Sequence, residues 1–262
     1  HHNAQRNWLL VILNTDNPNV SGIGDASPME DDDLVMAMIE AMVQKHLSGK
    51  DPLESEVHWT NLYQDFQARG GRIASTALSG IDIALWDLKG KLLDQPVWKL
   101  LGGAHRKKIR VYANGWYTNP GTPEQNAEEA KIVIDKGYTA LKFDPFGQDN
   151  FYKLSLQESQ LAEERVAAVR ESVGPFVDIL VEAHAKFNVM NAIQIGKRLE
   201  EYRPLFYEEP VSQERVSELL EVRNKVNIPI ATGERLYTKF PFAEIVDRHA
   251  VDVLQPDIAN AG

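Results

Sequence analysis

The sequence predicts an α/β protein in which a smaller N-terminal α+β region precedes a parallel (β/α) barrel. From Ile109 onward, short apolar segments alternate with amphipathic helical segments, which is the pattern of a parallel sheet covered by helices. Acidic residues follow several of these apolar segments, and bringing all of their side chains together favours a sheet that closes into a barrel. We place the boundary near residue 107, giving an N-terminal domain over 1–107 and a partial barrel over 108–262.

The barrel region contains about six predicted strands with helices between them. Strands are expected near 109–113, 139–143, 178–182, 204–208, 228–232 and 252–255. Helices are expected over 123–136, 156–173, 189–202, 212–225 and 239–249. An eight-stranded barrel would need two further units, so we expect these residues to hold an incomplete barrel.

The N-terminal region predicts a β-hairpin and a long helix. Trp8 to Leu13 is strand-like, and a cluster of turn residues follows it from Asn14 to Gly22. We expect a further partner strand before residue 1. The segment 73–87 is rich in small residues, which permit close packing in a helical core.

Composition limits the classes of partner and of metal site. At 262 residues with 43% hydrophobic content, the chain can bury a substantial core. A net charge of −10 without a long basic cluster argues against nucleic acid and anionic lipid as partners. No apolar run approaches the roughly 20 residues of a membrane span, and no secretory signal opens the chain. Because there is no cysteine, metal ligands must be oxygen or imidazole, and we predict a soluble, cytoplasmic protein.

Three glutamates recur at one interval and predict a metal site. Glu182, Glu208 and Glu234 are each 26 residues apart and each follow an apolar run. The carboxyl ends of barrel strands surround one mouth, so we expect these acids to converge there. A single acid after a strand is more often a helix cap or surface group, so the repeated interval is what favours a metal. Clustered carboxylates repel one another unless a cation neutralises them, and Mg²⁺ suits oxygen ligands best.

Two further residues belong to the same predicted mouth. Lys142 ends the strand near 139–143, and Asp257 follows the strand near 252–255. Glu208 and Glu209 are adjacent, and strand alternation lets only one of them face the mouth. The 26-residue interval selects Glu208.

Several sequence strings carry a family resemblance. They are Leu141-Lys142-Phe143-Asp144-Pro145, Val181-Glu182-Ala183-His184, Tyr207-Glu208-Glu209-Pro210, Ala231-Thr232-Gly233-Glu234-Arg235 and Gln255-Pro256-Asp257. Together they resemble the enolase superfamily in its mandelate racemase/muconate lactonizing enzyme branch, nearest to galactonate dehydratase-like acid-sugar dehydratases. The resemblance spans essentially the whole chain. It implies a (β/α)7β-type modified TIM barrel with an N-terminal α+β capping domain.

The resemblance also implies an activity. Family members use Mg²⁺ to stabilise the charge formed when a proton next to a carboxylate is removed. Loss of the β-hydroxyl would then complete dehydration to a 2-keto-3-deoxy acid, so we expect a lyase of the hydro-lyase type. The expected partner is a small-molecule sugar acid, and family members commonly form homo-oligomers.

Residue roles follow from the family motifs. Glu182, Glu208 and Glu234 match the metal ligands. His184 matches the general acid, with a structural histidine as the alternative. The residues expected to act on the substrate or to orient a base are Lys142 at the second strand end, Asp144, Arg235 and Asp257, which in the family orients a base histidine on the following strand.

Three departures keep other functions open. No histidine follows Asp257 in these residues, and the last one, His249, lies on the preceding predicted helix. The first metal ligand is usually aspartate, where this chain has Glu182. Asp144 replaces the second lysine of the family's usual lysine pair, which disfavours a two-base racemase. A racemase, epimerase or cycloisomerase of the same scaffold remains an alternative, as does a catalytically silent binding protein.

Overall fold

The structure is a computed structural model that describes residues 8–27, 31–66, 71–147 and 154–262. It divides into two compact units. The barrel unit consists of Ile109–Gly233 and Phe242–Gln255, and the N-terminal unit contains the described residues up to Lys108 together with Glu234–Pro241 and Pro256–Gly262. No helix of the described residues is long and apolar enough to cross a membrane.

The N-terminal unit begins with the predicted hairpin, which the structure confirms. Strand β1 pairs antiparallel with β2, and helices α1 to α4 follow in chain order. The bounds are β1 Leu10–Asn14, β2 Ser21–Asp25, α1 Asp32–His46, α2 Ser55–Phe66, α3 Arg72–Leu92 and α4 Val97–Leu100.

The small residues of α3 allow its backbone to touch the hairpin. A β-carbon added to Gly24 on β2 would lie 1.9 Å from the carbonyl oxygen of Gly80 on α3. One added to Gly22 would lie 2.1 Å from the carbonyl oxygen of Ala84. Since no side chain fits in these gaps, glycine is required where the strand crosses the helix.

A half-buried aspartate on α3 gives the N-terminal unit a pH-dependent stability. Burial raises the pKa of Asp82 from 3.8 to about 6, and the negative charge of Glu56 adds to the effect. The folded state therefore binds more protons than the unfolded state between these values, so the free energy of unfolding falls as pH rises through this window. Above about pH 6 the destabilisation is complete.

Replacing Asp82 by asparagine is expected to remove this pH dependence. Asparagine keeps an oxygen for the hydrogen bond with Trp86 but carries no charge to desolvate. At pH 7.5 the variant should gain about 1–3 kcal/mol in free energy of unfolding, and near pH 3.5 it should match the parent. Urea unfolding across this pH range measures the difference, with Asp94→Asn at an exposed aspartate as control. Parallel curves for Asp82→Asn and the parent would contradict the prediction.

The barrel unit is built on a five-stranded parallel sheet whose strands follow chain order, β3-β4-β5-β6-β7. This order and the intervening helices confirm the predicted strand-helix alternation. The strand bounds are β3 Ala140–Phe143, β4 Asp178–Glu182, β5 Phe206–Glu208, β6 Ile230–Thr232 and β7 Val253–Leu254. The helix bounds along the rest of the chain are α5 Pro123–Asp135, α6 Leu156–Val173, α7 Val189–Leu199, α8 Val216–Lys225, α9 Lys239–Asp247 and α10 Ile258–Ala261, with a 3₁₀ turn at Glu200–Tyr202. Helix α10 and the first residues of α9, 239–241, belong to the N-terminal unit.

The predicted strand over 109–113 is wrong, because only one of its residues pairs with the sheet. Only Ala113 pairs with the sheet, through an isolated parallel bridge to Leu141. Its amide donates to the carbonyl of Ala140 at 3.0 Å, and its carbonyl accepts from the amide of Lys142 at 2.9 Å. Ile109 and Val111, which suggested the strand, are 72% and 62% exposed, so burial on either face does not favour longer pairing.

Side chains on one face of the sheet form two successive layers along the strands. On one side, Ala140, Leu180, Phe206 and Ala231 form a small buried cluster. Because side chains on a strand alternate between faces, Lys142, Glu182 and Glu208 continue this same side two residues further on. The sheet therefore carries an apolar layer followed by a charged layer at the carboxyl ends of its strands.

Candidate active site

A lysine lies between two glutamates at the ends of three neighbouring strands. Glu182 on β4 and Glu208 on β5 are directly paired in the sheet register. The Nζ atom of Lys142 on β3 donates to Glu182 Oε2 at 2.9 Å and to Glu208 Oε2 at 2.7 Å. Gln255, after β7, donates from Nε2 to Glu208 Oε2 at 3.1 Å. Four elements that are distant in sequence thus deliver polar groups to one point.

Because these three side chains are buried, their stability as a group depends on the positive charge of Lys142. Lys142 is 6% exposed, and Glu182 and Glu208 are each 2% exposed. Burial raises the pKa of Glu208 from 4.5 to about 7, with a further increase from the charge of Glu182 and an opposing effect of Lys142. Burial alone would lower the pKa of Lys142, but the two carboxylates outweigh it and raise that pKa. Two acids share one cation here, so the site favours additional positive charge.

A second polar group surrounds Asp144, directly after β3. Its Oδ1 accepts from the amide of Phe146 at 2.8 Å, and its Oδ2 accepts from His184 Nδ1 at 2.7 Å. Lys186 Nζ donates to the same Oδ2 and to the carbonyl of Gly147. Asp144 is 3% exposed and Lys186 is 5% exposed, so both charges are satisfied inside the protein.

His184 joins the two groups from a turn that follows β4. Strand β4 ends at Glu182, and His184 and Ala185 both have left-handed backbones, with φ of 49° and 57°. In this turn the amide of His184 donates to Glu182 Oε1 at 2.8 Å. The hydrogen bonds of this turn, and not strand alternation, set the direction of the His184 side chain.

The imidazole of His184 has the properties of a proton donor. Its side chain is 41% exposed, whereas the acids around it are buried. Burial alone would lower the pKa of His184, but the hydrogen bond to Asp144 and the charges of Glu182 and Asp144 raise it. With Nδ1 held by Asp144, Nε2 is the ring atom left to face a ligand.

Three other predicted residues lie in the N-terminal unit. Glu234 has its carbonyl hydrogen-bonded to Asn260 Nδ2 at 3.3 Å, and its Oε1 lies 3.5 Å from Arg235. Asp257 caps α10, accepting from the amide of Ala259 at 2.9 Å. Their roles as third metal ligand, substrate contact and base-orienting acid stay predictions.

The carboxylate pair fits a divalent cation. Glu182 and Glu208 offer buried oxygens in register, and Lys142 Nζ already occupies a cation position between them. Carboxylate oxygens are the ligands that Mg²⁺ prefers. In the described part of the chain, no group of three or more histidine and acidic side chains is arranged to hold a metal, so the full ligand set also stays a prediction.

Two residues of these groups were not identified from the sequence. Gln255 belongs to a family string that assigns it no role, and no sequence motif includes Lys186. Lys186 follows two residues with left-handed backbones that are not glycine, and no sequence rule locates such a turn. The only available signal was a lysine four residues after Glu182.

Fold and site together define a protein of the α/β-barrel type with a buried acidic cluster at its strand ends. The sequence profile described as "Enolase C-terminal domain-like" matches residues 125–262. The profile "Mandelate racemase / muconate lactonizing enzyme, N-terminal domain" matches residues 2–102. The chain belongs to the enolase superfamily, in its mandelate racemase/muconate lactonizing enzyme branch, with an N-terminal capping domain and a partial parallel α/β barrel.

Named relatives and solved structures agree with this family. The chain is 42% identical over 257 residues to a D-gluconate dehydratase of Thermoproteus tenax, covering 97% of this chain and 51% of that protein. It is 37% identical to a D-gluconate/D-galactonate dehydratase of Picrophilus torridus, covering 97% of this chain and 64% of that protein. A crystal structure of an enolase superfamily member from Salmonella Typhimurium superposes with a TM-score of 0.92 at 35% identity, covering 98% and 71% of the two chains. The chain thus spans between half and two thirds of the length of these two dehydratases.

Proposed function

We propose that this protein is a Mg²⁺-dependent sugar-acid dehydratase, a hydro-lyase. It would remove the proton next to the substrate carboxylate and eliminate the β-hydroxyl as water, leaving a 2-keto-3-deoxy acid. The names of the relatives, D-gluconate and D-gluconate/D-galactonate dehydratase, support this reaction and substrate class. The geometry of His184 is the observation that carries the proposal. Its ring atom Nδ1 is hydrogen-bonded to Asp144, and its backbone amide donates to Glu182.

Glu182 and Glu208 would hold the metal, with Glu234 as the third ligand predicted from the 26-residue interval. Mg²⁺, when bound, would neutralise the negative charge that develops on the substrate carboxylate. Lys142 adds a fixed positive charge beside the same two acids. Its contact with the substrate carboxylate, like that of Arg235, stays a prediction.

His184 would supply the proton that turns the leaving hydroxyl into water. Its Nδ1 is hydrogen-bonded to Asp144, and a positioned imidazolium is an effective general acid near neutral pH. Asp144 is almost fully buried and bound to its own neighbours. We therefore propose that Asp144 orients His184, and its direct contact with the substrate stays a prediction.

The proposal also covers the domain organisation, the assembly and the location of the protein. The domains 1–107 and 108–262, the homo-oligomer, the cytoplasmic location and the base-orienting role of Asp257 are proposed from the sequence and its family resemblance. The alternative activities differ in what happens to the α-proton and the β-hydroxyl, so one set of assays separates them.

The proposed function is tested by incubating the complete, natural-length protein and Mg²⁺ with aldonic and aldaric acids. D-Gluconate and D-galactonate are expected to yield 2-keto-3-deoxy acids, and EDTA should abolish the product. Exchange of the α-proton in D₂O without loss of hydroxyl would identify an epimerase or racemase instead. Binding of Mg²⁺ and a sugar acid in calorimetry, without any turnover, would indicate a catalytically silent member.

A further inference from the structure

Lys186 is a buried lysine that the proposed reaction has not used. Three features bring it beside Asp144. The left-handed pair His184 and Ala185 reverses the chain after β4, and the Lys186 amide donates to the carbonyl of Ala183 at 3.1 Å. The Ala185 amide donates to the carbonyl of Glu209 at 2.8 Å, which ties the turn to the end of β5.

The Lys186 side chain fastens the loop after β3 to the turn after β4. Its Nζ contacts both Asp144 Oδ2 and the carbonyl of Gly147. Beside it, the rings of Phe146 and Phe187 meet edge to face with centroids 4.8 Å apart, and both are almost fully buried. Two polar contacts and one apolar contact therefore connect the same pair of loops, and Asp144 is one of the residues held.

The geometry points to Lys186 as a positioning residue that holds Asp144 in place for His184. Lys186 is buried, and both groups that its Nζ contacts, Asp144 Oδ2 and the carbonyl of Gly147, belong to the loop after β3. Lys186 Nζ and His184 Nδ1 both contact Oδ2 of Asp144. The backbone amide of Phe146 donates to the other oxygen, Oδ1. Hydrogen bonds therefore hold both oxygens of the Asp144 carboxylate. The imidazole of His184, oriented by this carboxylate, can present only Nε2 to a substrate. This inference rests on the proposed role of His184 as proton donor.

A merely structural ion pair would use the same contacts, so the test must detect the orientation of His184. Lys186→Met keeps the length of the side chain and removes both donated hydrogen bonds. The matched control is Lys225→Met, at an exposed lysine on α8. For Lys186→Met we expect kcat to fall about 10- to 100-fold, with KM nearly unchanged, because substrate binding does not involve Lys186.

A double-mutant cycle with His184→Asn tests whether Lys186 acts through the imidazole. If it does, adding Lys186→Met to His184→Asn lowers the residual kcat no further. Equal losses in both backgrounds would overturn the inference. Lys186→Arg, which keeps donors for both acceptors, is expected to retain more activity than Lys186→Met.

Side-chain ¹⁵N NMR of the histidines provides a readout that needs no turnover. In the parent, the proton on His184 Nδ1 should be visible and protected from exchange with water, because Asp144 accepts it. Lys186→Met should expose this proton to exchange, and Lys225→Met should not. An unchanged His184 signal in folded Lys186→Met protein would overturn the inference even if the protein dehydrates no sugar acid. If Lys186→Met does not fold, Lys186→Gln takes its place in every arm.

Discussion

Replacing His184 by asparagine is expected to lower kcat for sugar-acid dehydration by about 100- to 10,000-fold, the usual contribution of a positioned general acid. Asparagine can accept the left-handed backbone at this position and can still hydrogen-bond, but it cannot deliver a proton. Because the amide of His184 stays in place for Glu182, metal affinity should change little. Steady-state kinetics and Mg²⁺ calorimetry on the same samples separate the two effects.

His249→Asn is the matched control for this prediction. His249 follows α9 with φ of 50°, close to the 49° of His184, and is exposed to solvent. The two variants therefore make the same chemical change on the same backbone conformation, once inside the proposed site and once outside it. Equal kcat values for His184→Asn and the parent would remove His184 from the chemistry and leave it a structural histidine.

Replacing Lys142 by methionine is expected to destabilise the metal-free protein by about 3–5 kcal/mol, the cost of removing one partner from a buried ion pair. Methionine fills similar space, but Glu182 and Glu208 would then face each other in register without a cation. Each is 2% exposed, so water cannot replace the lost ammonium. The loss should appear as a lower midpoint in urea at pH 7.5 in the presence of EDTA.

Two additional measurements show whether charge causes this loss. Adding Glu208→Gln to Lys142→Met should recover part of the stability, because only one buried carboxylate then needs a partner. Mg²⁺ in place of EDTA should also stabilise Lys142→Met, since a divalent cation can satisfy both acids. A midpoint that neither change moves would show that packing, and not charge, explains the effect of Lys142→Met.

The sequence was sufficient for most of the barrel unit because its signals are local. Thr122 and Ser155 form capping boxes with Gln125 and Glu158 at the starts of α5 and α6, and both helices begin where the sequence predicts. Short apolar segments likewise predict β3 to β7. The segment 109–113 has the same apolar alternation but pairs only at Ala113, because strand pairing depends on burial that the sequence does not state.

The candidate site was predictable where strand register determines it. A constant interval between strand-helix units places Glu182 opposite Glu208, and the structure has this pair. The contacts of Asp144 were not predictable, because they depend on the left-handed turn at His184 and Ala185. Alanine rarely adopts that conformation, and without the turn Lys186 would not be expected near β3.

The direct pairing of Glu182 with Glu208 limits which length changes this chain can tolerate. Inserting one amino acid inside β4 would turn Glu182 toward the helices and an apolar neighbour toward the charged layer, since strand faces alternate with period two. The same insertion in the 3₁₀ turn at Glu200–Tyr202, outside both strands, would leave the pairing intact. Natural gain and loss of codons in this protein should therefore concentrate between its strands and spare their final residues.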